Sequence, residues 1–249
     1  MNNPYLLLWL EAPLQSWGHD SKFGRRDTLN FPTKSGVLGL VCSAMGAGGE
    51  QCELLAEFAT LNQIALSFVR SRDSSIGESI KIDREPLLRD FHMVGSGYDD
   101  KDPWASLLIP KTSEGKKAIG GGAKMTYRYY LQDAYFAVLL QVPTAKADAI
   151  AEALQNPAWD VYLGRKNCVP TDFIFRGLYV DEDEAITQAL SIALGKALLE
   201  DFRVLDGEHE GEVLTLIDVP IQFGERKLYR DRRVTVVSYQ PRPDRGHAF

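Results

Sequence analysis

The sequence holds few of the residues that mark a cofactor enzyme or a secreted scaffold. Three cysteines occur in 249 residues, Cys42, Cys52 and Cys168. The number is odd and no CxxC pair is present, so the pattern suggests neither a disulfide framework nor a structural zinc site. The four histidines, His19, His92, His209 and His247, are scattered without metal-ligand spacing. No Walker or dinucleotide fingerprint, nucleophile elbow or carboxylate metal cluster can be read, so no cofactor and no metal are expected. The apolar run Tyr5–Leu10 is far too short to span a bilayer, and no basic segment precedes it. A soluble, cytoplasmic protein with no membrane partner is therefore expected. Positive charge is also scarce: 28 Lys+Arg stand against 34 Asp+Glu, a net charge of −6. That argues against coating nucleic acid by bulk attraction, but it leaves room for a local basic groove.

What is present is ordinary globular material, 45% hydrophobic and 25% charged. Tyr5–Leu10 reads as a buried central strand. Residues 18–34 form a polar, locally basic loop. Thr33 or Ser35 is placed to cap a helix running to Met45, whose small residues Gly36, Gly39, Ser43 and Ala44 suit close packing on a sheet. A second helix follows over 50–60, then a strand over Ile64–Val69. Residues 71–128 are a long Gly-, Ser- and Lys-rich excursion with strand-like patches at Ile80–Ile82 and Asp90–Val94. Ala134–Val142 reads as a central strand, Ala145–Gln155 as a helix and Phe173–Val180 as a strand. An acid-started helix is predicted from Asp181 to about Glu200, with strands at Val213–Val219 and Val234–Tyr239. The order fits an α+β, ferredoxin-like or RRM-like core (βαββαβ) if the excursion is an extended β-hairpin, with an additional C-terminal α/β part. Residues 1–180 would form the core and 181–249 a helix and strands packed on the same domain.

Four segments can carry chemistry. Thr33-Lys34-Ser35-Gly36 offers a helix N-terminus, two hydroxyls and a lysine to a phosphate; otherwise it is a capped helix with a solvated lysine. Leu163-Gly-Arg165-Lys166-Asn167 presents adjacent bases on a Gly turn, which can clamp a phosphate or stay solvated. The stretch from Lys111 to Lys124 and Arg128 interleaves with Tyr127, Tyr129 and Tyr130, as single-strand binding requires; alternation allows about half of those tyrosines to face a ligand. His92, with a lysine and a tyrosine near it, has the makings of a metal-independent acid/base set, though a lone strand histidine is more often structural. The basic run Arg226–Arg233 reads as a solvated hairpin edge or a partner surface.

The segment Tyr5-Leu-Leu-Leu-Trp-Leu-Glu-Ala-Pro-Leu-Gln-Ser-Trp-Gly18, then Arg25, then Phe31-Pro-Thr-Lys-Ser-Gly-Val-Leu-Gly-Leu40 resembles the CasD family. These are the subunits of type I-E CRISPR surveillance complexes (Cascade) that hold the 5′ end of the guide RNA. Leu88-Arg-Asp-Phe-His-Met-Val94 and Tyr162–Thr171 agree, so the resemblance covers about residues 4–180. It implies an RRM-like core of the RAMP superfamily with a β-hairpin thumb near residues 92–128. It implies a non-catalytic subunit bound to the guide RNA 5′ handle, the Cascade backbone subunit and the large subunit, and meeting target DNA only through the complex. On that reading Lys22, Arg25, Arg26, Lys34 and Arg165 neutralise handle phosphates, and the Thr33 and Ser35 region offers its helix N-terminus. Trp17 stacks on a base or packs beneath the loop. His92, Lys124, Arg128 and Lys166 complete the expected RNA-binding set. The alternative is a metal-independent endoribonuclease like the type I-C relative, which uses Tyr, Lys and His; a scaffold without RNA contact is the third reading.

Overall fold

A computed structural model describes residues 3–19, 21, 24–73, 79–94, 104, 111–116 and 124–238. The elements are β1 (Tyr5–Gln15), β2 (Arg25–Arg26), α1 (Lys34–Ala44), α2 (Cys52–Phe58), β3 (Gln63–Asp73), β4 (Ser79–Lys81), β5 (Leu88–Val94) and β6 (Lys124–Gln141). They continue with α3 (Ala147–Gln155), β7 (Phe175–Tyr179), α4 (Glu182–Gly195), β8 (Leu198–Asp206), β9 (Glu212–Gln222) and β10 (Leu228–Ser238). The main sheet runs β7-β1-β6-β3-β8-β10-β9. Its first four strands are antiparallel neighbours, and with α1 after β1 and α3 after β6 they form the ferredoxin-like βαββαβ unit.

The continuous apolar run of β1 follows from burial on both faces. Leu6, Leu8 and Leu10 pack with α1 and α3 residues such as Val37, Val41, Ile150 and Leu154. Tyr5, Leu7 and Trp9 point the other way, against Ala185, Ala189 and Ala193 of α4. That alanine stripe recurs every four residues, so α4 lies close on the sheet. Asp181 caps it by accepting from Glu184 N–H at 2.9 Å. The sheet face that an RRM leaves open for bases is therefore covered here at β1, β3 and β6.

Three expectations change. The helix predicted to about Glu200 stops at Gly195, and Leu198–Asp206 is a strand, β8. Ala197 adopts a left-handed φ of 53° between them. The polar loop 18–34 contains a short strand, β2, paired in parallel with Tyr127 and Arg128 of β6. The basic run Arg226–Arg233 is not a solvated edge throughout, because β10 lies between β8 and β9 and the Arg232 side chain is only 10% exposed. Arg232 donates to both Asp218 oxygens (2.7 and 2.9 Å) and pairs with Asp206. Asp218 also accepts the Lys34 backbone N–H at 2.8 Å, and Asp206 accepts the Gln63 N–H at 3.1 Å. This cluster fastens the C-terminal strands to the start of α1. Among the described residues, no helix is long and apolar enough to cross a membrane.

Candidate nucleic-acid interface

The 18-residue strand β6 serves two structures. Its second half is core; its first half leaves the sheet as a ribbon with β5 on one side and β2 on the other. The β5–β6 pairing runs from Leu88–Tyr130 to Val94–Lys124; most of the expected thumb between residues 92 and 128 lies outside the described residues. The cross-strand register pairs Asp90 with Arg128, Phe91 with Tyr127 and His92 with Thr126.

Alternation gives the ribbon two chemistries. One face carries Phe91, Met93, Met125 and Tyr127, all exposed. Phe91 and Tyr127 sit 5.5 Å apart between ring centroids. Two guanidiniums flank the tyrosines: Arg89 lies 5.5 Å from the Tyr127 ring centre and Arg25 lies 4.9 Å from that of Tyr129. The other face carries Arg128 and an Asp90–His92 pair in direct hydrogen-bond contact. Tyr130 is fully buried, so of the three predicted tyrosines Tyr127 is exposed and Tyr129 half-buried.

Beside the ribbon lies the turn Tyr162–Cys168. It is held tight by backbone bonds Leu163 N–H to Cys168 O (2.8 Å) and Ser16 N–H to Leu163 O (3.1 Å). Gly164 has φ +101°, and a Cβ there would stand 1.7 Å from Ser16 O, so glycine is required. Arg165 donates to Tyr129 O (3.0 Å) and Arg26 O (2.9 Å) and lies 4.6 Å from the Tyr130 ring centre. Its guanidinium therefore joins β2 to β6, a role not foreseen for it. Lys166 beside it is exposed.

Beyond the turn is a cleft of about 500 Å³ between α1 and the β9–β10 hairpin. Gly36, Gly39 and Ser43 of α1 line one wall; Phe223, Lys227 and Tyr229 line the other. Gly36, Gly39 and Ser43 thus face this opening rather than the sheet, whereas Ala44 is in the core as expected. Burial alone pushes the Tyr229 phenol up, while the nearby Asp160 carboxylate pushes Tyr162 up.

The remaining expected residues divide. Trp17 is buried, donates from Nε1 to Gln15 at 3.1 Å and abuts Gly36, so it packs beneath the loop. Lys34 is turned inward, donating from Nζ to Leu61 O, and burial lowers its pKa to about 8. The α1 N-terminus is also largely taken. Asp218 accepts from Lys34 N–H, and the buried Thr33 hydroxyl accepts from Gly36 N–H at 3.2 Å. Ser35 stays at the cleft. Arg25 is exposed but held by Asp27 at 2.8 Å, whereas Arg26, Arg128 and Lys166 form no ion pair among the described residues. Lys22 lies outside the described residues, as does the side chain of Lys124, which opens β6. Arg89, Phe91, Lys227 and Tyr229 were missed. The alternation Arg89-Asp90-Phe91-His92-Met93 was the available signal for the first two; the others reach the site only through long-range pairing.

Residues 5–235 match the family described as CRISPR-associated protein (Cas_Cas5). The chain is 31% identical over 234 residues to the CRISPR system Cascade subunit CasD of Escherichia coli (strain K12), spanning 90% of this chain and 94% of that one. It resembles a chain of a solved CRISPR RNA-guided surveillance complex, with a TM-score of 0.63, 27% identity and coverage of 94% and 89% of the two chains. A second solved structure, described as a Cas protein, gives a TM-score of 0.55 at 26% identity, with 94% of each chain covered. The chain belongs to the Cas5 family of CRISPR-associated proteins.

Proposed function

We propose that this chain is the subunit of a type I-E Cascade complex that holds the 5′ handle of the guide RNA, caps the backbone filament, and acts by binding rather than by catalysis. The observation that carries the reading is the set of cations around the ribbon: Arg25 and Arg89 beside Tyr129 and Tyr127 on one face, and Arg26 and Arg128 on the other. Lys166 on the Gly164 turn and Lys227 and Tyr229 at the cleft add to it. Cations along a groove neutralise phosphates while exposed rings accept bases. The covered sheet face directs RNA to this surface instead of to an RRM-type platform. The likeness to a Cascade subunit over nine-tenths of the chain supports the same assignment. The thumb would meet the neighbouring backbone subunit, and the chain would reach target DNA only through the complex. The test is a titration of the full chain with handle RNA at several salt concentrations. Arg25→Ala/Arg26→Ala is expected to weaken binding and lower the salt slope by about 1.4, at about 0.7 per phosphate contact on a single strand. Unchanged affinity and slope would remove both residues from the site.

One observation favours the endoribonuclease reading: the Asp90 carboxylate orients His92, as for a general base. Against it, cross-strand alternation puts Tyr127 on the opposite face of the ribbon from His92. Incubation with repeat RNA in EDTA separates the two readings. Specific cleavage that is lost in His92→Ala would establish the nuclease.

A further inference from the structure

The sheet forks. Strands β3 and β6 pair only from Gln63–Leu140 to Phe68–Tyr135. Beyond that point β3 continues with β8 and β4, while β6 runs upstream with β5 and β2. Residues 82–87, which have no regular structure, cross the fork from β4 to β5. A cavity of about 90 Å³ remains there, lined by Phe68, Arg70, Arg84 and Tyr135 among others.

Arg84 reaches inward from this crossing segment. It donates from Nη1 to Asn30 O at 3.2 Å and from Nη2 to Ser67 Oγ at 2.7 Å. Its guanidinium lies 5.0 Å from the Phe136 ring centre and 6.0 Å from that of Phe202. Its Nε is buried without a partner, and among the described residues it forms no ion pair. Arg84 is thus a half-buried cation among two rings and two neutral oxygens, with the Asp201 carboxylate in electrostatic range but not in contact. What the planar fork supplies is geometry. One side chain joins the thumb's root to the loop before α1, to β3, and to rings on β6 and β8. Gln132 adds a second tie, donating to Pro86 O at 2.8 Å.

We propose that Arg84 is the positioning residue that fixes the thumb ribbon against the core, and so pre-sets the RNA surface that the ribbon carries. The consequence for RNA rests on the handle-binding reading above; the mechanical role does not. The experiment uses the full chain carrying Arg84→Met, which keeps apolar contact with the rings but makes neither hydrogen bond. Backbone hydrogen exchange at Leu88–Val94 is expected to rise about tenfold relative to β1, as expected for local opening. Affinity for synthetic handle RNA is expected to fall about tenfold from lost preorganisation, with the salt slope unchanged because no phosphate contact is removed. Arg84→Lys keeps the charge but reaches only one acceptor at a time, and is expected to fall between. If Arg84→Met does not fold, Ser67→Ala removes one tie and leaves the guanidinium in place, with the same exchange readout. Wild-type exchange across β5 in a folded variant overturns the proposal, as does a salt slope lowered by about 0.7, which would make Arg84 an RNA contact. A wild-type chain that fails to bind handle RNA sinks the handle reading alone, and the exchange arm still decides the role of Arg84.

Discussion

Replacing Asp218 with alanine is expected to loosen the C-terminal strands from α1. The carboxylate is almost fully buried and holds three donors: Arg232 Nε at 2.7 Å, Arg232 Nη2 at 2.9 Å and the Lys34 backbone N–H at 2.8 Å. The variant leaves Arg232 with Asp206 as its single anionic partner and orphans a buried N–H. Breaking a buried ion pair from one side costs about 3–5 kcal/mol, and the orphaned donor is part of that figure rather than an addition to it. For a chain of this length about 1 kcal/mol moves the melting temperature by about 2–4 °C, so a drop of about 6–20 °C is expected. Thermal melting followed by circular dichroism reads it directly. Asp218→Asn keeps an acceptor for Lys34 N–H and is expected to fall between the two. An Asp218→Ala protein melting within about 2 °C of wild type would refute the view that this carboxylate joins the two parts.

Burial of Lys34 adds a pH dependence. Its pKa falls from 10.5 to about 8 because burial disfavours the ammonium. Between those values the unfolded chain binds more protons than the folded one, so stability rises with pH through that window, by at most about 3 kcal/mol. Cys42 and Cys168, whose thiols burial pushes up, act in the opposite sense from about pH 9, and Tyr5 and Tyr229 from about pH 10. Urea midpoints between pH 8 and about 9 therefore show the lysine, and a folded Lys34→Met should lose the slope. Gly164→Ala should disrupt the Tyr162–Cys168 turn, because its Cβ would overlap Ser16 O; soluble yield and melting temperature report it, and a wild-type melt would contradict the geometry. Trp17→Ala should lower stability by about 3–5 kcal/mol through the cavity it leaves, while the folded variant keeps its affinity for handle RNA. A lowered affinity with an unchanged melt would return Trp17 to the RNA surface.

Legibility divided along physical lines. The ferredoxin-like unit was readable because β1 and the second half of β6 are apolar on both faces and α3 has a clear apolar stripe. Thr33 was readable as a cap from its position before an apolar helix. The end of α4 was not, because Leu198–Asp206 mixes acids with apolar residues and becomes a strand only by pairing with β3 and β10. Charge was the least legible property at the site. Lys34 and Arg165 look like phosphate ligands in the sequence, yet one is buried on a carbonyl and the other ties two strands together. Arg232 lies within a basic run and is the partner of two aspartates. Arg84, in a segment with no periodicity, carried no signal at all. In each case tertiary contacts decide whether a cation meets a carboxylate, a carbonyl or solvent.

The handle-binding surface is tested most directly by photo-crosslinking a guide RNA with photoreactive handle nucleotides to this chain in the assembled complex, followed by peptide mapping. Crosslinks are expected in β2, β5, the first half of β6, the Tyr162–Cys168 turn and the Lys227–Tyr229 wall of the cleft. Crosslinks confined to the α4 face, or none to this chain, would contradict it.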